Sequence, residues 1–504
     1  MTARPTIETP VRTPRRWAAL VVLMLPVLLV AVDNTVLSFA VPSISESLRP
    51  RGTELLWIVD IYPLVLAGLL VPMGSLGDRI GRRRLLLIGS TGFTVVSALA
   101  AFAPSAAMLI GARATLGFFG AMLMPATLSL IRNIFTDPTE RRTAIAIWAA
   151  GFSGGAALGP VAGGFLLEHF WWGSVFLMAV PVLVPLLVLG PFLIPESRDP
   201  APGPVDPVSI VLSIATMAPL VYGIKSVAES GLDGEVLLLA VVGLLAGTMF
   251  VRRQLRRREP MLDVRLFTNP VFSGAVTANL LSVFSLVGFL FFIPQHLQLV
   301  SGRGAMESGL LLVPGLAVTV LAGLAVVPIV RRVRPAVVVT CGLLLNAAGY
   351  VVVLVSGTSG SDLGLLVAFM VLGAGVGAAE TISNDLILSS VPATRAGSAS
   401  AISETAYELG AVLGTAVLGS ILTATYRSNV VVPDGLPAAD AQAAGETLGG
   451  ATEVAGGLPS DVAGALLDSA RHAFDSGVVI TSTIGVVLMV LAAGIARRTL
   501  RDAR

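Results

Sequence analysis

The stretch GSLGDRIGRRR, residues 74–84, separates two long apolar runs, 55–76 and 85–103. Glycine permits a tight turn because it lacks a side chain, and a group of arginines is costly to place in lipid. Each flanking run has about 20 residues, the length that a helix needs to cross a membrane. The stretch therefore predicts a short basic turn between two membrane-spanning helices.

The composition of the whole chain agrees with this local pattern. Of the 504 residues, 55% are hydrophobic and only 13% are charged, whereas soluble globular proteins contain roughly 25% charged residues. The single cysteine, Cys341, excludes an intramolecular disulfide, and the three histidines are scattered. No metal site, no cofactor and no nucleophile–histidine–acid set is predicted, so an enzyme is the least favoured class.

Runs of similar length recur along the chain and predict fourteen spanning helices, which makes this an all-α polytopic membrane protein. Two of these runs depart from the common pattern: 207–228 contains Lys225, and 234–251 is short. The predicted spans are 17–41, 55–76, 85–103, 106–131, 142–167, 173–194, 207–228, 234–251, 271–299, 307–330, 335–356, 363–389, 398–426 and 474–496.

The distribution of basic residues predicts the orientation. With the N-terminus inside, 26 of the 33 lysine and arginine residues fall in cytoplasmic segments, as the positive-inside rule requires. An odd number of spans would destroy this bias, so both termini are predicted to be cytoplasmic. The first apolar run, 17–41, is too long for a signal peptide and has no small-residue cleavage site after it.

Two segments interrupt the regular spacing of the spans. Residues 252–270 begin with RRQLRRREP and predict a basic cytoplasmic linker. Residues 427–473 predict a long external loop that is rich in alanine and glycine, and 461–474 predict a short amphipathic helix at its end. The loop is either a tolerated insertion or a gating lid, and the sequence favours neither.

Three ionisable residues fall at similar depth within the spans, at about 1.5 Å of rise per residue. They are Asp33 in the first span, Asp60 in the second and Arg113 in the fourth. Such residues are costly in lipid and usually line a cavity. They predict either one cluster that faces a central cavity or an ion pair of Arg113 with Asp33, which leaves Asp60 without a neutralising partner.

A second set of carboxyl groups lies in the C-terminal half. Glu404 and Glu408 are four residues apart, hence on one helix face, and Glu380 falls near mid-membrane on the preceding span. A carboxyl in an apolar site can hold a proton and release it when a cation or water arrives. These residues are therefore candidates for proton coupling. Asp385 is interpreted as a helix-end residue near water.

Because carboxyl groups outnumber cations within the spans, the cavity is predicted to be negative and to suit lipophilic cations. Aromatic rings would add cation–π contacts. Each candidate, taken alone, is more often a packing or interface residue than a ligand contact. The candidate cavity aromatics are Trp57, Tyr62, Trp148, Phe152 and Tyr407.

Several sequence motifs within and between the predicted spans have a specific spacing. The turn matches G-x-x-x-D-R-x-G-R-R at Gly74, Asp78, Arg79, Gly81, Arg82 and Arg83. The fifth span matches the antiporter motif G-x-x-x-G-P-x-x-G-G at Gly155, Gly159, Pro160, Gly163 and Gly164. Further matches are Asp33, Thr35 and Pro42 in the first span, Trp57 and Tyr62 in the second, and Arg113 and Gly117 in the fourth, where Leu116 replaces a glutamine.

These motifs resemble those of the major facilitator superfamily, in particular its group of drug:proton antiporters with fourteen spans. The resemblance implies a six-helix bundle in 1–195, a linker with two inserted spans in 196–270, and a second six-helix bundle in 271–504. It also implies a monomer in the bacterial cytoplasmic membrane, surrounded by lipid and without nucleic-acid partners. The residues Asp78–Arg83 would latch the cytoplasmic side of the outward-facing state.

The predicted function is proton-coupled efflux of multiple lipophilic, mostly cationic drugs and dyes by alternating access. Protons are the coupling ion: a protonated Asp33/Asp60 cluster resets the carrier, and a cation binds when the carboxylates are free. A dedicated exporter of one endogenous metabolite or antibiotic is the alternative. A channel or receptor fits the antiporter motif and the embedded carboxyl groups less well.

Overall fold

The computed structural model describes residues 13–198, 206–231, 233–258, 260, 262–356, 362–391 and 396–501. Within these ranges some helix side chains, including those of Asp78 and Phe152, are not described. All the regular elements that these ranges contain are helices. The predicted all-α class is confirmed.

The described residues of the first half of the chain form nine α-helices. They are α1 (Thr13–Leu48), α2 (Gly52–Ile80), α3 (Arg82–Ala100), α4 (Ala106–Ile134), α5 (Pro138–His169), α6 (Ser174–Leu177), α7 (Ala179–Leu193), α8 (Pro207–Ser230) and α9 (Gly234–Arg256). The second half follows a 3₁₀ turn, Val264–Thr268, and its described residues contain two π-helical turns, His296–Val300 and Thr415–Gly419. Its α-helices are α10 (Pro270–Gln295), α11 (Ala305–Val330), α12 (Pro335–Ser356), α13 (Asp362–Ser389), α14 (Ala396–Gly414), α15 (Ser420–Asn429), α16 (Ala438–Glu446), α17 (Leu448–Ala455) and α18 (Ser460–Thr499).

Thirteen helical segments in the described part of the chain are long and apolar enough to cross a membrane. Each coincides with a predicted span. The remaining predicted span, 142–167, lies in α5, whose 32 residues also suffice to cross a bilayer. The count of fourteen stays a prediction.

The end of the long loop differs from the prediction. Residues 461–474 do not form a separate amphipathic helix, because α18 runs without interruption over 40 residues from Ser460 to Thr499. Buried residues such as Leu466, Ala470 and Phe474 continue the packed face of the last span into this segment. The segment is therefore an extension of the span.

The helices pack in two groups, each with its own apolar core. The first group is α1–α7, and the second is α10–α15 with α18. The inserted helices α8 and α9 pack on each other, and α8 also contacts α2 and α15. We call the side where α1 begins the terminal face and the side where α2 begins the opposite face.

The antiporter motif places α5 between the two groups. A Cβ atom at Gly159 or Gly163 would overlap Thr35 or Val36 of α1, so one face of α5 lies directly on that helix. A Cβ at Gly164 would lie 2.6 Å from the Cα of Met306 in α11. Small residues therefore bring the backbones of both groups together near the opposite face.

Replacing Gly164 by alanine should lower the thermal stability of the purified protein, because in this closed state the new methyl group meets backbone atoms of α11 and not a flexible side chain. Gly154, on the same helix, has open space around it and provides the matched control. Gly154→Ala should be neutral or stabilising, since alanine favours a helix by roughly 0.5–1 kcal/mol over glycine. Equal melting temperatures for the two variants in detergent would contradict the close contact.

Candidate functional site

Arg113, on α4, is fully buried and has three partners. Its Nη1 atom donates to Asp33 Oδ2 at 2.8 Å and its Nε atom donates to the carbonyl of Ile58 at 3.2 Å. The guanidinium also lies over the ring of Tyr62, 4.5 Å from the centroid. The ion pair of Arg113 with Asp33 that the sequence offered as one alternative is present, and it joins α1, α2 and α4.

The prediction that Asp60 is left unneutralised is wrong. Lys225 of α8 places its Nζ atom 3.0 Å from Asp60 Oδ2, and both side chains are almost completely buried. The angles of this contact differ from those of a regular hydrogen bond. The ammonium also lies 4.0 Å from the centroid of the Trp57 ring. The inserted helix thus supplies the counter-ion of a carboxylate in the first group.

Three parts of the molecule meet around Asp60. The hydroxyl of Thr415, in the second π-helical turn, approaches the carboxyl from the second group. Directly beside it, an apolar cluster joins α2, α8 and the C-terminal helices through Leu64, Val221 and Val412. Since π-helical turns occur frequently at functional sites, this junction is a candidate site in itself.

The carboxyl groups of the second group have a different environment. Glu408 is buried, while Glu380 and Glu404 are half-buried. In the part of the chain that the structure describes, none of the three has a basic side chain at ion-pair distance. Glu408 lies within electrostatic range of Glu404 and, across the boundary between the groups, of Tyr62. Asp385 is exposed.

The five predicted cavity aromatics separate into different surroundings. Tyr62 and Trp57 lie at the two ion pairs, and Tyr407 is within electrostatic range of Glu380 and Glu408. Trp148 instead packs within the first group and donates its Nε1–H to Thr127 at 3.2 Å. The side chain of Phe152 lies outside the described residues. The site therefore unites three of the five predicted rings with the carboxyl groups.

The turn at residues 74–84 binds the chain just after α7. Gly81 joins α2 to α3 with a φ of +110°, which favours glycine, and a Cβ there would lie 2.6 Å from the carboxylate of Glu196. That carboxylate accepts from the backbone N–H of Arg83 at 3.0 Å, and Arg82 donates to Ser197 Oγ at 3.2 Å. Sequence reasoning missed Glu196 and Ser197, which lie two and three residues after the sixth predicted span.

These described contacts of the turn stay within the first group. Arg83 Nη1 also donates to the carbonyls of Pro191 and Ile194, at 3.2 and 3.0 Å. Gly74 lies on Pro125 of α4, and Arg79 is exposed. Since the side chain of Asp78 lies outside the described residues, the predicted latch stays a prediction.

The long loop folds onto the opposite face. Its helices α16 and α17 carry Asp440 and Glu453, and both bind the Arg49 side chain after α1. Glu446 accepts from the backbone N–H of Gly52 at 3.2 Å. Gln298 of the second group donates to the carbonyl of Phe39 at 3.3 Å nearby. The opposite face is therefore closed by contacts of the first group with the loop helices α16 and α17 and with the second group.

Comparison with known proteins places the chain in a family. Residues 23–415 match the Major Facilitator Superfamily. The chain belongs to the major facilitator superfamily. It is 58% identical to the multidrug efflux pump LfrA of Mycolicibacterium smegmatis over 96% of both chains. It is 38% identical to the methyl viologen resistance protein SmvA of Salmonella typhimurium, covering 95% of this chain and 97% of that protein.

Two further similarities support this assignment. A tetracenomycin C resistance and export protein of Streptomyces glaucescens is 33% identical over 96% of this chain and 91% of its own. Among solved structures, a bacterial homologue of the human lysosomal transporter Spinster, inward-facing and unoccupied, superimposes with a TM-score of 0.66. The two share 18% identity over 97% of this chain and 99% of that one, which supports the major facilitator fold alone. The chain is thus a multi-pass membrane transporter and not an enzyme.

Removing one member of the Arg113–Asp33 pair should destabilise this major facilitator protein strongly. A buried charge that loses its partner costs about 3–5 kcal/mol, so Arg113→Gln and Asp33→Asn should each lower the free energy of unfolding by that amount. The double variant should lose less than the sum. Unfolding of the purified protein in detergent measures all three.

Arg303 is the control, because its side chain is 44% exposed and solvent screens its ion pairs with Glu307 and Asp362. Arg303→Gln should change the stability much less than Arg113→Gln. Strictly additive effects of Arg113→Gln and Asp33→Asn would contradict direct coupling across the buried pair.

Proposed function

We propose that this transporter exports multiple lipophilic organic cations in exchange for protons, by alternating access across the bacterial cytoplasmic membrane. Both chain termini, and hence the terminal face, lie in the cytoplasm in this proposal. The opposite face is then external. The strong excess of basic residues in the predicted cytoplasmic segments supports this orientation.

The observation that carries the proposal is a set of three carboxyl side chains in the second helix group without a described cation partner. They are Glu380, Glu404 and Glu408. A carboxylate in an apolar protein is costly unless a positive charge neutralises it. The group is therefore stable either with a proton or with a bound cation. Exchange of these two ligands at the same carboxyl groups is the chemistry of an antiporter.

The relatives support the choice of substrate class. The printed name of LfrA describes a multidrug efflux pump, and that of SmvA describes resistance to methyl viologen. Methyl viologen is an aromatic organic dication. The carboxyl groups together with Trp57, Tyr62 and Tyr407 offer charge and aromatic faces, which recognise such molecules.

The arrangement of the ion pairs assigns different tasks to the carboxyl groups. Asp33 and Asp60 are neutralised by Arg113 and Lys225, so neither requires a proton in this state. Glu404 and Glu408 then carry the coupling protons in our proposal, and Glu380 lies within electrostatic range of the neighbouring Tyr407. The sequence predicted that a protonated Asp33/Asp60 cluster resets the carrier. In this proposal protonation of Glu404 and Glu408 takes that role.

Alternating access requires the two groups to part on one side at a time. The contacts of α5 with α11 and of the long loop with α1 hold the external side closed. Opening to the outside must separate Gly164 from Met306. The turn at 74–84 lies on the cytoplasmic side, where it would act as the latch of the outward-facing state.

A dedicated exporter of one metabolite or antibiotic is the second candidate. It is favoured by the similarity to a protein named for resistance to, and export of, tetracenomycin C alone. Competition between structurally unrelated cationic dyes separates the two functions. Mutual inhibition of their efflux supports multidrug transport, and its absence supports the dedicated exporter.

Replacing Glu404 or Glu408 by glutamine should remove most of the dye efflux that is driven by a pH gradient. An amide of the same shape cannot exchange a proton. Everted membrane vesicles with a fluorescent lipophilic cation, with and without a protonophore, measure the effect. Asp385→Asn is the matched control on the neighbouring helix, because Asp385 is exposed.

Wild-type efflux that continues in the presence of the protonophore would overturn proton coupling. Full pH-driven efflux in both glutamine variants would instead remove Glu404 and Glu408 from the coupling step. A loss of equal size in Asp385→Asn would show that the assay responds to any carboxyl of this region.

A further inference from the structure

Asp60 and Trp57 form a site with the chemistry that binds an organic ammonium ion. A carboxylate supplies charge, and the aromatic face lies within cation–π distance of the same point. Tyr222 extends this aromatic wall, with its ring 6.0 Å from that of Trp57. In the structure the position of the ligand is filled by a residue of the chain itself, the ammonium of Lys225.

The location of this site ties it to the movement of the carrier. Asp60 lies eight residues after the start of α2, about 12 Å below the external end of that helix. The pair is sealed by the first group, the inserted helix α8 and the π-helical turn that contains Thr415. Because Thr415 belongs to the second group, separation of the two groups on the external side would move it away from Asp60 and open one wall of the seal.

We propose that Lys225 is a tethered competitor that occupies the Asp60–Trp57 site until a cationic substrate displaces its ammonium. The inference rests on the proposed function. It names the site at which the exported cation competes with the ammonium of Lys225. It gives the inserted helix α8 a direct part in substrate binding. Lys225 is thus a specificity-determining residue that rejects ligands unable to replace an ammonium ion.

The competition has two physical consequences. Substrate binds only to the fraction of molecules in which Lys225 has left Asp60, so the apparent affinity falls in proportion to that fraction. After release of substrate, the ammonium returns to Asp60 and neutralises it. The empty carrier can then close again without an unpaired charge at this position and without a proton on Asp60.

A purely structural pair would behave differently. An ion pair that only anchors α8 to α2 would contribute to stability and would not compete with any ligand. Binding of a cation would then leave Lys225 in place, and neutralisation of Lys225 would change the melting temperature but not the affinity for cations. The experiments below separate these two roles.

The first experiment measures equilibrium binding of radiolabelled tetraphenylphosphonium to the purified full-length protein. Lys225→Met removes the competing charge, so the Kd of this variant for tetraphenylphosphonium should fall about tenfold. This is the change expected when the fraction of molecules with a free Asp60 rises from a small minority to nearly all. Lys225→Arg keeps the charge and should keep the affinity closer to that of the wild type. The double variant Asp60→Asn/Lys225→Met should not show this lower Kd, because the carboxylate that attracts the cation is absent.

Arg253→Gln is the matched control for loss of a cation on the inserted helices. Arg253 of α9 binds Asp206, just before α8, at the terminal face, with Nη2 2.9 Å from Oδ1. Its replacement should leave the Kd of tetraphenylphosphonium unchanged. A decrease equal to that of Lys225→Met would assign the effect to general charge and overturn the competition.

The second experiment uses the wild-type protein and needs no variant to fold. Lys225 is the single lysine among the 504 residues, so a small amine-reactive reagent can modify only this side chain and the α-amino group. Saturation with tetraphenylphosphonium should increase modification of Lys225 several-fold, measured by mass spectrometry against the α-amino group. Unchanged or decreased modification would overturn the proposal.

The failures of the two proposals are distinguishable. Wild-type protein that binds no organic cation would overturn the proposed function and this inference together. Normal wild-type binding with an unchanged Kd in Lys225→Met would overturn only the role of Lys225, because neither readout depends on proton coupling.

Discussion

Every charge inside this protein must be compensated, because neither lipid nor an apolar core solvates an ion. Two of the embedded carboxylates meet this requirement with fixed partners, Arg113 and Lys225. Glu404 and Glu408 do not have such a partner among the described residues. The difference divides the site into a permanently neutral part and a part whose charge depends on what is bound. The rest of the architecture positions these two parts against each other.

Much of the fold could be predicted from the sequence, because helices in lipid need long apolar runs and closely packed helix backbones need small residues such as glycine. The predicted spans coincide with observed helices, and the glycines of the fifth span lie on α1 and α11. The separate amphipathic helix at 461–474 was wrong, since its apolar residues continue the packed face of α18. Polar residues outside the bilayer do not reveal whether a helix continues through them.

The partner of Asp60 could not be predicted, although Lys225 was visible as a lysine in an apolar run. The two residues are 165 positions apart, and they meet only because α8 packs against α2. Depth along a helix can be counted from the sequence, but the direction in which an inserted helix faces cannot. For the same reason Glu196 was missed: its contact with the turn at Gly81 depends on where the end of α7 lies.

The helices α16 and α17 are held on the opposite face by buried apolar residues such as Ala444 and Leu448, and also by Arg49, whose bonds to Asp440 and Glu453 are about a third exposed. Such surface pairs contribute little and weaken as ionic strength rises, because the screening length is only about 8 Å at physiological salt. The glycine contacts between α5 and α11 contain no charge and are indifferent to dissolved ions. Added salt should therefore weaken only the Arg49 contacts of α16 and α17, while their buried apolar contacts and the seam between α5 and α11 stay in place.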